Sequence, residues 1–178
     1  MAAALVAMPL AAGPAVAQQM GSKPTPADGY SIHVTAPHMY QGREIGRVHR
    51  FCKPIAEDPI IMCLLYDTME PNAHLHGIEY VEAKSLTRPQ VSRRLWNADF
   101  HDHLVEIATG RVKVLDMPEV EAKKVADLVA TTDGIIFHLW PQGDPLPTGS
   151  VTIDQFVGHE PLSESEYRAS AQARPAGT

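Results

Sequence analysis

From Tyr30 to Val157 apolar and polar residues alternate in short runs, separated by turn-forming Gly, Pro, Asn and Asp. "YSIHVTAPHMY" (30–40), "GRVHRFCKPI" (46–55) and "PIIMCLLYDT" (59–68) predict strands, the third an apolar run suited to burial on both faces. "AHLHGIEYVEA" (73–83) predicts another strand. There the period of two puts His74, His76, Ile78 and Tyr80 on one face, and Leu75, Gly77, Glu79 and Val81 on the other. The period then changes. "SLTRPQVSRRLW" (85–96) predicts a helix, with Thr87 as cap, Pro89 in its first turn and an apolar stripe of Val91, Leu95 and Trp96.

"HLVEIATGRVKVLD" (103–116) alternates on both sides of Thr109-Gly110 and predicts a hairpin. "PEVEAKKVADLVATTDG" (118–134) predicts a second helix, opened by Pro118 with Glu119 and Glu121 at its positive end, and Gly134 past its close. "IIFHLW" (135–140) reads as a short buried strand and "SVTIDQFV" (150–157) as the last one. Clustered strands with two helices predict an α+β fold: a largely antiparallel sheet with two main helices packed on it, in a single compact domain.

The flanks divide the chain further. Residues 1–17, "MAAALVAMPLAAGPAVA", have an apolar centre, Pro14 and a small-x-small ending, the pattern of a secretory signal cleaved after Ala17. Residues 18–29 read as a Pro/Gly/Ser linker, 30–158 as the domain and 159–178 as a disordered tail. The expectation is a periplasmic or secreted protein. In that setting Cys52 and Cys63 can form a disulfide, with buried thiols or metal ligands as the alternatives that their spacing leaves open.

At 178 residues, 44% hydrophobic and 20% charged, the composition is that of an ordinary globular protein. A net charge of −6 argues against a nucleic-acid partner, which needs a basic face. No apolar run reaches the length of a transmembrane helix. No nucleophile elbow, P-loop, HExxH or dinucleotide fingerprint occurs, so no catalytic residues are assigned.

The candidate chemistry lies in "FHDHLVEIATG" (100–110). On a strand His101 and His103 leave the same face, and two imidazoles can begin a shell for zinc, copper, nickel or iron. Glu106 would then face the other way, and needs a bulge at Leu104 or Val105 to join them. His138, inside the apolar "IIFHLW", and His49 in "HRFC" are the ligands a second segment would have to supply. The expected metal set is therefore His101, His103, His138, His49 and Glu106.

Several blocks together carry a resemblance. "HRFC" (49–52), "MCLLYD" (62–67), "NAHLHGIEY" (72–80), "LW" (95–96), "HDHLVEI" (101–107), "FHLW" (137–140) and "GDPLPTG" (143–149) are, in this order, similar to the oil body-associated protein family. That family was first described in plant seed oil bodies, has bacterial and fungal members, and has no established enzymatic reaction. The leader favours a bacterial-type member. Two departures are plain: "NADF" separates Trp96 from His101, where the family sets its His-x-His directly after the tryptophan, and His74 and His76 fall where the family commonly has other residues. The resemblance, with the histidines, implies an exported non-enzymatic protein that binds a transition metal or small ligand. A structural protein of lipid surfaces is the alternative, and a His/carboxylate enzyme the second alternative.

Overall fold

A computed structural model describes residues 24–140 and 143–172. The signal segment expected at 1–17 lies outside the described residues, as do residues 18–23 of the linker and residues 173–178. The chain runs β1 (Ile32–Tyr40), β2 (Arg43–Ala56), β3 (Ile60–Tyr66), β4 (Leu75–Ala83), α1 (Lys84–Gln90), α2 (Arg93–Asp99), β5 (Phe100–Asp102), α3 (His103–Ala108), β6 (Lys113–Leu115), α4 (Glu119–Val129), β7 (Thr132–His138), β8 (Thr152–Asp154) and α5 (Glu164–Gln172). The strands form one curled antiparallel sheet in the order β5-β7-β4-β3-β2-β1-β6, with β8 beside β5 on the outer edge of β7.

The expected α+β class and antiparallel sheet hold, but the expectation of two main helices is corrected: five are present among the described residues. The first predicted helix is two. Ser92 breaks it by turning extended and capping α2, its hydroxyl accepting from the Leu95 N–H. The predicted hairpin at 103–116 begins instead as α3. Asp102 leaves the strand and its carboxylate accepts the Leu104 N–H, so residues after it coil. Gly134, read as lying past a helix, sits inside β7. The stretch read as a disordered tail folds from Glu164 to Gln172, docked on α1. Tyr167 donates to the Val91 carbonyl, and Arg93 pairs with Glu164. That tail carries few apolar residues, so its order comes from these polar contacts, which periodicity does not report.

The core lies on one sheet face, where Val48, Cys52, Ile61, Cys63, Leu65, Val81 and Ile136 pack together. Cys52 and Cys63 are directly opposite on β2 and β3, with Cα atoms 4.0 Å apart, and form a buried disulfide. On the same inner face the alternation also delivers polar side chains: His38, Arg50, Glu79 and His138 are all buried. Helices α3 and α4 cover this face. At the edge, Asp133 of β7 pins α1 and α2 by accepting hydrogen bonds from Thr87, Arg88 and Trp96 Nε1. Among the described residues no helix is long and apolar enough to cross a membrane.

Candidate metal centre

The change from strand to helix at Asp102 decides the geometry of the "HDH" segment. His101 is the middle residue of β5, paired with Gly134, and His103 is the first residue of α3. Glu106 is then three residues along a helix, on the same side as His103, and no bulge is needed. Both rings lie over Gly134. A Cβ there would stand 2.5 Å from His101 Nε2 and 2.7 Å from His103 Cε1, so only glycine leaves room for them.

Glu79 of β4 completes the group. Its Oε1 lies 3.1 Å from His103 Nε2 and 3.3 Å from His101 Nε2. Glu106 Oε2 stands 3.9 Å and 4.0 Å from the same two nitrogens. All four residues are buried. Ligands 2.0–2.1 Å from a tetrahedral ion sit about 3.3 Å apart, so these four atoms bracket the edges of one coordination shell.

Hydrogen bonding sharpens the case. Thr132 Oγ1 donates to the Val129 carbonyl at 2.6 Å, and its oxygen therefore accepts from His103 Nδ1 at 2.8 Å. That assignment puts the neutral ring's proton on Nδ1 and aims the bare Nε2 lone pair at two carboxylates. A lone pair facing carboxylate oxygens is repulsive unless a cation lies between them or the ring is charged. Burial pushes the His103 pKa down, but Glu79 and Glu106 outweigh it and hold it above the ordinary histidine value. Glu79 is pulled the other way. Burial raises its carboxyl, yet Arg50 and the two histidines keep it well below the usual range. Glu106 Oε1 and both His101 ring nitrogens are buried without a hydrogen-bond partner, a costly state that a bound cation relieves.

A second cluster lies on the same face. His38, His76 and His138 are fully buried, and His38 Nε2 is 2.7 Å from His138 Nε2. His76 is an extra residue in β4: Tyr66 pairs with Leu75 and Leu65 with Gly77, leaving a bulge that turns its ring inward. Carboxylates stand behind two rings, Asp67 at 2.9 Å from His76 Nδ1 and Asp154 at 3.5 Å from His138 Nδ1. Burial lowers the pKa of His38 well below its ordinary value and that of His138 to about 4. Arg50 joins the two clusters, giving Nε to Glu79 Oε2 at 2.7 Å and Nη2 to His38 Nδ1 at 3.2 Å.

Neither cluster is fully satisfied without an ion. Arg50 donates to His38 Nδ1, so neutral His38 carries its proton on Nε2 and gives it to His138. Two of the three rings in that cluster are thus joined by a neutral hydrogen bond. Both His76 ring nitrogens, both Asp67 oxygens and His138 Nδ1 stay buried without a hydrogen-bond partner, as the His101 ring and Glu106 Oε1 do in the Glu79 cluster. Both clusters have donor sets consistent with transition-metal binding.

Of the residues expected from sequence, His101, His103 and Glu106 come together. His138 belongs to the second cluster instead. His49 joins neither, because it is odd-numbered on β2, where the even positions face inward. It pairs on the outer face with His33, Nδ1 to Nε2 at 3.0 Å. Glu79, His38 and His76 were missed as ligands. Glu79 could have been found, since Val81 on its side of β4 marks the core face. His76 could not, because the bulge that redirects it has no sequence signal.

A family profile described as a protein of unknown function (DUF1264) matches residues 24–170. The chain belongs to the DUF1264 family. That match spans every residue of both clusters. Among its relatives, oil body-associated protein 1B of Arabidopsis thaliana is 33% identical over 156 residues, which are 80% of this chain and 62% of the relative. Oil body-associated protein 1A of Zea mays is 32% identical over 135 residues, 72% of this chain and 54% of the relative. The DUF1264 chain thus spans little more than half the length of these curated relatives, and the likeness is distant but consistent. No solved structure matches it.

Proposed function

We propose that this DUF1264 protein is an exported, non-enzymatic metal-binding protein whose ion is held by Glu79, His101, His103 and Glu106. The observation that carries the reading is the convergence of two imidazole nitrogens and two carboxylate oxygens, 3.1–4.0 Å apart and buried, with unpartnered polar atoms among them. A set of two nitrogens and two oxygens suits zinc or iron(II) better than a soft ion, which prefers sulfur. Thr132 behind His103 supplies the outer hydrogen bond that fixes a ligating ring. The buried disulfide supports export, because such bonds persist in oxidising compartments, as does the signal-like leader.

Titration with cobalt(II), a coloured stand-in for zinc, tests the site. One equivalent should bind with the absorption of a four-coordinate ion, and His103→Ala should abolish it while the fold survives. An unchanged titration in that variant would reject the assignment. For export, mass analysis of protein from its own host should find a chain lacking residues 1–17, and an intact Met1 would reject it.

A second reading, association with a lipid surface, is favoured by the relatives named for oil bodies. Flotation of the protein with phospholipid-coated oil droplets tests it.

A further inference from the structure

A cavity of about 70 Å³ lies between the inner sheet face and α4, and the Glu79 centre forms part of its wall. Its other walls are apolar, built by Val34 and Ala36 of β1, Ile61 of β3, the Cys52–Cys63 disulfide, and Val125 and Leu128 of α4. Polar lining is confined to Arg50, Glu79, His103 and Glu106, neighbours in the hydrogen-bonded group described above. A core-filling role does not explain this space, since interiors are packed to near-crystal density with few voids larger than a water. Roughly five waters would fill it, and apolar walls hold water poorly. A short aliphatic chain fits both its size and its lining.

Charge identifies the head group. Arg50, Glu79 and Glu106 sum to one negative charge at the polar wall, cancelled at most by a charged His103, so the wall offers an anion no net positive charge. A divalent ion among the four ligands reverses this to one positive charge in a buried setting. A single carboxylate then restores neutrality, and oxygen is a donor the expected ions accept. An ammonium or a neutral alcohol does not balance that charge.

We propose that the cavity binds a short aliphatic monocarboxylate, its chain along the apolar walls and its carboxylate facing Arg50 and the metal centre. This rests on the metal reading above. Binding is therefore metal-dependent: an apolar anion enters the loaded protein and not the metal-free one.

The test is calorimetric titration of hexanoate into zinc-loaded and metal-free full-length protein, with acetate and hexylamine as controls and zinc content measured in parallel. Hexanoate should bind the loaded protein at least tenfold more tightly than either the metal-free protein or acetate, because it buries additional methylenes. Hexylamine should not bind. Val125→Phe, which fills the cavity from α4 without touching a ligand, should weaken hexanoate at least tenfold and keep one zinc. Zinc uptake without hexanoate binding overturns this proposal and leaves the metal site standing. Equal hexanoate binding by metal-free protein, or by Val125→Phe with its zinc, also overturns it. Failure to take up zinc overturns both readings.

Discussion

Gly134→Ala is the sharpest perturbation available, because it adds one methyl group at the floor of the proposed centre. Gly134 is strand residue with an ordinary backbone, so alanine costs nothing in φ and even gains slightly in strand entropy. All of the penalty comes from contact. The new Cβ would lie 2.5 Å from His101 Nε2, 2.6 Å from His101 Cε1 and 2.7 Å from His103 Cε1. Relaxed carbon contacts need about 3.5 Å, so both rings must retreat by roughly 0.8 Å or more. They have little room: His101 packs against Phe156 with ring centroids 5.3 Å apart, and His103 is tied to Thr132. Overpacking of this kind costs about 1–3 kcal/mol, a fall in Tm of a few degrees for a chain this size. Metal–ligand distances tolerate only about 0.2 Å, so the centre should be lost outright. Cobalt titration alongside urea unfolding measures both effects. A Gly134→Ala protein that binds one equivalent like the parent, with stability unchanged within about 0.5 kcal/mol, would refute the placement of these rings over β7.

Glu79→Ala removes the partner of a buried Arg50 and should destabilise by roughly 3–5 kcal/mol, measured by denaturant unfolding; a cost under about 1 kcal/mol would mean that the pair is not buried. Metal-free protein should lose stability on acidification, because His138 titrates at about 4 when folded and about 6.5 when unfolded. The unfolded chain takes up that proton first, so the contribution is whole above pH 6.5, declines below it and is spent near pH 4, an upper bound on the order of 3 kcal/mol. His138→Gln should flatten that part of the stability–pH curve, and an unaltered curve would contradict the burial of a neutral ring. Reduction of Cys52–Cys63, which closes a loop with a sequence separation of 11, should cost about 2–3 kcal/mol in unfolding experiments, and no change would argue against the bond.

The strands were legible because alternation reports which face is buried, and the middle of β2 and all of β3 follow it closely. Helix boundaries were less so. Ser92 and Asp102 each cap a short helix, and such short elements bury too few apolar residues to imprint a period. The cap at Asp102 mattered most: reading 103–116 as extended sent Glu106 to the wrong face, while the helix brings it beside His103. Two residues of the proposed centre were visible in "HDH", but Glu79 lies across the sheet, joined by the pairing of β4 with β7 and β7 with β5. No local pattern encodes that pairing. His138 was placed with His101 because a second segment had to supply further ligands, yet it lies four positions beyond Gly134 on β7, and that distance along the strand divides the two clusters.

Anomalous X-ray scattering from crystals of tag-free protein grown with zinc tests the central claim most directly. The account predicts a strong peak enclosed by Glu79 Oε1, His101 Nε2, His103 Nε2 and Glu106 Oε2, about 2 Å from each after small adjustments. A fully loaded crystal with no peak there, or with one only among His38, His76 and His138, would contradict it.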